Sequence, residues 1–304
     1  MKNGTVIEST GSWYKVESDG ERFDCRARGK LRLKGVRSTN PVVVGDKVEF
    51  ELSEEGEGII TAIRPRTNYI IRKASNLSKE SHIIAANVDC ALVVVSLAAP
   101  ETSAEFIDRF LVTAEAYHVP AVILLNKVDL LKDFPEITDA FLDTYRTAGY
   151  RVICASVKTG EGMDEVRELV AGRTTLLSGN SGVGKSTLVK ALVPDAEVKI
   201  GKISEAHLSG RHTTTFSHVY SLAGGGQLID TPGIKGFGLI DISPDELWHY
   251  FPEMLRIGKG CKFYNCTHTH EPDCAVTAAV ADGAISMSRY ESYLKILDED
   301  GKYR

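Results

Sequence analysis

Cysteine is scarce in this chain. There are six in 304 residues, three of them crowded between Cys261 and Cys274, and so sparse a set excludes a disulfide-stapled scaffold. Long apolar runs are also missing. The best stretch, Ala91 to Pro100, is about half the ~18 residues that a membrane span needs. The opening MKNGTVIEST has no basic-then-apolar leader pattern, and the chain holds no internal repeat and no low-complexity segment. What is present is ordinary for a folded protein: 43% hydrophobic and 25% charged residues, which argues against a largely disordered chain. At ~100–200 residues per domain there is room for two or three domains. The expectation is a cytoplasmic, multidomain monomer with no membrane partner.

The net charge of −5 is unevenly spread. Residues 1–73 hold 14 Lys/Arg against 11 Asp/Glu, so the excess of acid lies further on. From Arg22 to Arg37 seven cations stand against Asp24 alone. The alternation RARGKLRLKG has a strand period that places most of them on one face. That face reads either as a solvated strand surface or as a phosphate-tracking patch for RNA, with Arg28, Lys30 and Arg32 as its candidates.

Residues 1–68 read as all-β. GTVIES, WYKVES, ERFDCRA, DKVEFEL and GIITAIR are short alternating runs divided by turn residues. Five such strands suit a small OB-fold-like barrel, and an SH3-like barrel would give much the same pattern. Over 69–240 the texture changes. DCALVVVSL, AVILLN, RVICAS and TTLLSG are continuous apolar runs, as in parallel strands covered on both faces. Helical patterns such as AEFIDRFLVTAEAY and GMDEVRELVA lie between them, predicting a helix-wound α/β sheet. Residues 241–304 read as helical and irregular, with the Cys/His cluster inside.

The strongest local signal is Gly179, Asn180, Ser181, Gly182, Val183, Gly184, Lys185 and Ser186, followed by Thr187. It fits G-x-x-x-x-G-K-[ST] between a strand and a helix. Backbone N–H groups freed by the glycines would wrap the β-phosphate, Lys185 would bridge the β- and γ-phosphates, and Ser186 would ligate Mg²⁺. Asn126-Lys127-Val128-Asp129 follows the strand AVILL, at the carboxyl end where ligands bind open α/β sheets. The Asp129 carboxylate can accept from the imino and amino groups of guanine, a pair that adenine does not offer. Asn126 would read the other edge of the base, and the Lys127 stem would cover its face. Ser156, Val157 and Lys158 close the next strand as a second base loop. Together these make the nucleotide GTP.

Asp230-Thr231-Pro232-Gly233 reads as a switch, with Asp230 holding Mg²⁺ through water and the Gly233 amide sensing the γ-phosphate. Arg211-His212-Thr213-Thr214-Thr215 lies between the P-loop and that switch. Thr214 is the favoured Mg²⁺-binding threonine, with Thr213 and Thr215 open. Base-reading loops precede the P-loop here, so the usual cyclic order of a GTPase is cut at a different point: a circular permutation. A water-orienting glutamine is lacking, since Ile234 stands there; His212 is the candidate that would position water instead. Finally, Cys261-x4-Cys266-x-His268-x5-Cys274 offers three thiolates and an imidazole, a set suited to a closed structural Zn²⁺ site. His270 could take the place of His268.

A basic barrel, a permuted GTPase and a C-terminal Cys3His cluster, in that order, resemble the bacterial ribosome small-subunit-dependent GTPase A (RsgA) family. NKVD, SVKTGEG, GNSGVGKST, RHTTT, DTPGIKGFG and C-x4-C-x-H-x5-C carry the likeness nearly end to end, with EPDCAVTAAV and SRYESYLKIL after them. The resemblance implies a factor in late maturation of the small (30S) ribosomal subunit that binds its 16S rRNA. GTP-bound protein would dock near the decoding region, and hydrolysis to GDP, stimulated by the subunit, would favour release. It also implies that His268 is the zinc ligand and His212 catalytic. Two other readings are an ATP-using P-loop kinase or ATPase, and a nucleic-acid-binding module whose GTP site only binds. A zinc-dependent redox or metal-sensing protein is more remote, because the cluster leaves no free thiol.

Overall fold

The computed structural model describes residues 1–10, 12–29, 41–54, 56–73, 81–196, 218–230 and 242–302. In chain order the strands and α-helices are β1 (Lys2–Ser9), β2 (Tyr14–Ser18), β3 (Glu21–Ala27), β4 (Lys47–Leu52), β5 (Gly58–Ile63), β6 (Tyr69–Lys73), β7 (Ser81–Ala86), β8 (Cys90–Val95), α1 (Ala104–Ala116), β9 (Ala121–Leu125), α2 (Pro135–Ala148) and β10 (Arg151–Cys154). They continue with α3 (Met163–Val170), β11 (Thr174–Ser178), α4 (Lys185–Leu192), β12 (His218–Ser221), β13 (Gln227–Asp230), α5 (Pro252–Gly258), α6 (Ala275–Ala281) and α7 (Met287–Lys302). Two compact units are built from interleaved segments. One takes Met1–Ala91, Arg167–Ser178 and Ser186–Ile234; the other takes Leu92–Val166, Gly179–Lys185 and Lys235–Arg304.

The first unit begins with a closed barrel in the order β1-β2-β3-β5-β4. Its pairs are antiparallel except β3 with β5, which run parallel; this five-stranded closure is that of an OB-fold. Alternation drives it. In β2, Tyr14, Val16 and Ser18 point inward and Lys15 outward, and Val6, Cys25, Phe50 and Ile60 complete a core with no exposed surface. Asp46 and Arg66 are both buried beside it. The guanidinium donates from Nε to Asp46 Oδ1 and from Nη2 to Oδ2, at 2.7 and 2.8 Å. That pair pins the segment entering β4. Strand β3 ends at Ala27, so Arg28 follows the strand, and Lys30 and Arg32 lie outside the described residues. In the same unit β6 and β7 form an antiparallel pair. Strand β13 lies parallel to β11 and antiparallel to β12.

In the second unit the strand order is β10-β9-β8, with β10 parallel to β9. All six residues of β8, CALVVV, are buried, as its unbroken apolar run requires. Helix α1 opens on Ser103, whose hydroxyl accepts from the Phe106 N–H, with Glu105 in the first turn. Seven of its thirteen residues are buried, too many for one amphipathic stripe, so this helix is covered on more than one side. One covering is the helical module after residue 241. There Val112 joins Phe251, Met254, Val276, Tyr293 and Ile296 in a single core, each large side chain contributing about 1.5–3 kcal/mol by burial. Among the described residues no helix is long and apolar enough to cross a membrane.

One charged cluster ties that module to α1. Arg289 of α7 is 1% exposed. It donates from Nε and Nη2 to the two Glu253 oxygens at 2.8 and 3.2 Å, and from Nη1 to Asp108 Oδ1 at 2.7 Å. Its guanidinium carbon also lies 4.7 Å from the Phe251 ring centroid. A charge in this place is tolerated only because it is paired. Arg289→Leu is therefore expected to lower stability by about 3–5 kcal/mol, because it strands two buried carboxylates. Replacing Asp108, Glu253 and Arg289 together by apolar residues should recover most of the loss. Urea denaturation of the wild type and the two variants checks both statements.

Candidate functional site

Three loops leave the carboxyl ends of β8, β9 and β10, the place where open α/β sheets bind ligands. The first, residues 96–102, is tied shut. The Ser96 N–H donates to Thr102 Oγ1 at 3.1 Å, and the Thr102 N–H donates back to the Ser96 carbonyl at 2.8 Å. The second carries Asn126, Lys127 and Asp129; the third carries Ser156, Val157 and Lys158. The Ser156 side chain is buried, and its hydroxyl accepts from the Thr159 N–H, which closes a turn within the third loop.

Asn126 holds these pieces together. Its backbone N–H donates to the Val95 carbonyl. Its side-chain Nδ2 donates to the Val183 carbonyl of the P-loop at 2.8 Å, and Oδ1 accepts from the Val157 N–H at 3.1 Å. The residue is 3% exposed. Both ends of the amide thus brace neighbouring loops, which differs from a side chain that only reads a base edge. Lys127, held in the left-handed region at φ 66°, stretches its stem so that Nζ donates to the carbonyls of Ala99 and Gly182, at 2.6 and 2.7 Å. The extended stem makes one wall beside the P-loop.

Asp129 behaves differently. It sits in a short 3₁₀ turn, Val128–Leu130. Its Oδ1 is buried and, among the described residues, has no hydrogen-bond partner. A buried acceptor left open costs about 1–3 kcal/mol. A donor-rich heterocycle such as guanine would satisfy it.

The P-loop, residues 179–186, turns on two glycines that permit no other residue. Gly184 has φ 104°, and a Cβ there would collide with the Asn126 amide; Gly179 has φ 144°, and a Cβ there would strike the Val94 carbonyl. Lys185 donates from Nζ to the carbonyls of Gly179 and Asn180, so its ammonium lies along the loop. Helix α4 starts at Lys185, and its N-terminal amides and dipole favour a phosphate. Ser186 and Thr187 follow in its first turn. Asp230 ends β13. A hydroxyl and a carboxylate are hard oxygen donors of the kind that suits Mg²⁺. His212, Thr213, Thr214, Thr215 and Gly233 lie outside the described residues.

The second candidate centre is the cysteine cluster. One ligand atom from each of Cys261, Cys266, His268 and Cys274 lies within 4.8 Å of the others. Cys261 Sγ is 3.6 Å from His268 Nδ1 and 3.9 Å from Cys274 Sγ, and His268 Nδ1 is 3.4 Å from Cys274 Sγ. A tetrahedral ion at a metal–sulfur distance of ~2.3 Å sets its sulfurs about 3.7 Å apart, so the cluster fits one. Burial, with the neighbouring Cys274 and Cys261 thiols, pushes the Cys266 thiol up to about 12, a resting state that a bound cation would reverse. His270 is exposed and contacts Thr269 instead.

Several residues that shape these centres carry no motif. Ala99 acts through its carbonyl alone, and a backbone acceptor leaves no mark in sequence. Glu271 is the organiser of the cysteine loop. Its carboxylate accepts from the Thr267 N–H and hydroxyl, both at 2.6 Å, and from the Thr269 N–H at 3.1 Å. The Tyr290 and Tyr293 hydroxyls donate to the carbonyls of His268 and Thr267. A carboxylate flanking two threonines in THTHE was the available clue.

Comparison with known proteins follows the same lines. The family model described as RsgA GTPase matches residues 63–240, and that described as RsgA N-terminal domain matches residues 3–60. A Bacteroides fragilis protein named small ribosomal subunit biogenesis GTPase RsgA is 54% identical over 305 residues, covering 99% of this chain and 98% of its own. The crystal structure of YjeQ from Thermotoga maritima aligns with a TM-score of 0.77 at 36% identity, covering 98% of each chain. That of YloQ, described as a circularly permuted GTPase, also gives 0.77, at 29% identity, over 100% of this chain and 96% of its own.

The cysteine loop generates a test of its own. Burial works against the Glu271 carboxylate, but its hydrogen bonds from Thr267 prevail and hold it well below the usual carboxylate range. Its contribution to stability is therefore fully present above the unfolded value of ~4.3 and is lost as pH falls below it. Glu271→Gln should weaken the loop by about 1–3 kcal/mol at pH 7, read as faster loss of bound metal to a chelator, and the gap from wild type should narrow as pH falls below ~4.3.

Proposed function

The chain belongs to the RsgA GTPase family, and from that premise we propose that it hydrolyses GTP to GDP and phosphate as a biogenesis factor of the small ribosomal subunit, in the cytoplasm. The observation that carries the nucleotide choice is the buried Asp129 Oδ1, which has no partner among the described residues, in the loop that Asn126 braces to the P-loop. Guanine offers that oxygen an N–H; adenine has no donor in the matching position.

Within this reading Asn126, Lys127, Asp129 and the Ser156–Lys158 segment form the base end of the site. Gly179 through Thr187 cradle the phosphates, and Lys185 meets the charge that develops between them. Ser186, Thr214 and Asp230 would hold Mg²⁺, which when bound neutralises phosphate charge. His212 positions the attacking water where Ile234 replaces glutamine. The Gly233 amide reports the γ-phosphate. Catalysis is then mainly positioning plus electrostatic stabilisation, and docking on the ribosomal subunit would complete the switch region, an effect worth ~10³–10⁵ in other GTPases. Cys261, Cys266, His268 and Cys274 hold one structural Zn²⁺, since all four positions of a tetrahedron are protein-filled. The organisation 1–68, 69–240 and 241–304 separates an RNA-binding barrel, with Arg28, Lys30 and Arg32 as candidates for 16S rRNA, from the GTPase and the zinc module.

Steady-state hydrolysis of GTP and ATP, with and without purified small subunits, tests the reading. GTP-selective turnover that climbs with subunit concentration is expected; turnover indifferent to subunits would remove the ribosomal partner. Asp129→Asn should cut GTP turnover at least tenfold and confer use of xanthosine triphosphate, whose C2 carbonyl accepts from the new amide where guanine donated. His212→Ala should lower subunit-stimulated kcat by about 10²-fold while leaving GTP affinity within a few-fold of wild type.

A further inference from the structure

The loop at residues 96–102 carries no nucleotide motif, but two buried hydroxyls fix its shape. Ser96 is fully buried and Thr102 is 3% exposed. The Ser96 hydroxyl accepts from the Ala98 N–H at 3.2 Å and donates to the carbonyl of the same residue. Thr102 Oγ1 accepts from the Ser96 N–H at 3.1 Å, so the two side chains lock the turn from within. Ser and Thr hydroxyls can shape a loop in this way anywhere in a protein. What sets this loop apart is where its tip goes.

Ala99 and Pro100 form the tip, and both are exposed. The Ala99 carbonyl receives the Lys127 ammonium at 2.6 Å. Pro100 leans on the P-loop so closely that a Cβ on Gly182 would come within 3.1 Å of its Cδ. Both ends of the Ala99–Lys127 bond are non-glycine residues in the left-handed region, at φ 40° and 66°. Such residues rarely adopt that conformation, and it persists only where neighbours over-determine it. For Ala99 those neighbours are Ser96, which grips both polar backbone groups of Ala98, and Thr102 behind it. Without that hold Ala99 would relax to negative φ and turn its carbonyl away. The Lys127 ammonium would then keep only the Gly182 carbonyl, and its stem would no longer be held taut.

We propose that Ser96 and Thr102 are positioning residues of the nucleotide site, which set how long the base is held by fixing the Ala99 carbonyl that anchors Lys127. The proposal rests on the GTP reading above, with the Lys127 stem over one face of the guanine. On this account neither hydroxyl needs to touch the nucleotide. Their effect falls on GTP and GDP alike, because the two share the base, and leaves the hydrolytic step alone.

The test follows release of a ribose-labelled fluorescent GDP from the full chain, beside single-turnover hydrolysis of GTP bound in advance. Ser96→Ala should speed release about 5- to 30-fold, the worth of one or two lost hydrogen bonds, and weaken GTP binding by a similar factor. Single-turnover hydrolysis should stay within about twofold of wild type. Thr102→Val, close to threonine in shape, should act in the same direction. Thr102→Ser, which keeps the hydroxyl, should release GDP at the wild-type rate. Lys127→Met keeps a long stem and removes the ammonium; it should itself speed release, and Ser96→Ala should add nothing to it, since both break one link. Wild-type release in Ser96→Ala and Thr102→Val would overturn the proposal and leave the GTP site standing. So would an undiminished effect of Ser96→Ala beside Lys127→Met. Wild-type protein that holds no guanine nucleotide would overturn the GTP reading and this proposal with it.

Discussion

Arg289 is the residue around which the second unit is arranged. A guanidinium with 1% exposure needs partners on several sides at once, and it finds them on α1, through Asp108, and on α5, through Glu253. Burial pushes the Asp108 carboxyl upward against the pull of Arg289. The requirement is geometric as well as electrostatic. A bidentate fork onto Glu253 and a third bond to Asp108 fix where α7 crosses α1, more narrowly than the surrounding aliphatic contacts would. Because α7 also supplies Tyr290 and Tyr293 to the cysteine loop, one buried charge places the metal-ligand cluster relative to α1.

From α1 the constraint runs to the P-loop. The helix begins directly after the loop at residues 96–102, whose Ala99 carbonyl accepts from Lys127, and the same ammonium reaches Gly182 in the P-loop. Asn126 then joins that P-loop to the third loop at Val157. These links explain why a permuted order can work. Asn126 and Val183 are far apart in sequence, yet the bonds between them depend only on where the strand ends lie. Cutting the chain elsewhere leaves each of those ends in place, so the site survives while its connectivity changes.

How much of this was legible follows from how local each signal is. The P-loop, NKVD and Cys3His patterns are short-range, and each lies on a strand end, a helix start or a tight loop as its chemistry demands. The barrel was legible through alternation, and the choice between OB-like and SH3-like closures had to await the parallel β3–β5 pair, since strand order is a long-range property. The basic run RARGKLRLKG has the period of a strand; β3 ends at Ala27, and the run from Lys30 onward lies outside the described residues. The Arg289 triad was invisible for a related reason. Its three members are separated by 145 and 36 residues, and each taken singly reads as a surface charge on an amphipathic helix.

The two polar residues of NKVD show how a structure without ligand distinguishes scaffold from receptor. Asn126 has its side-chain oxygen and a nitrogen proton satisfied by neighbouring loops, so its first duty is to hold the site's shape. Asp129 Oδ1 is buried and, among the described residues, has no partner. A fold that has enclosed an acceptor with no donor among the described residues leaves it a penalty of ~1–3 kcal/mol. A base with the right N–H relieves that penalty on entry; one without it leaves the oxygen both buried and bare. On the proposed reading, discrimination between guanine and adenine would rest as much on the penalty retained by the wrong base as on the bond gained by the right one. That asymmetry requires Asp129 to be held still, and the braces through Asn126 and Lys127 are what hold the loop that carries it.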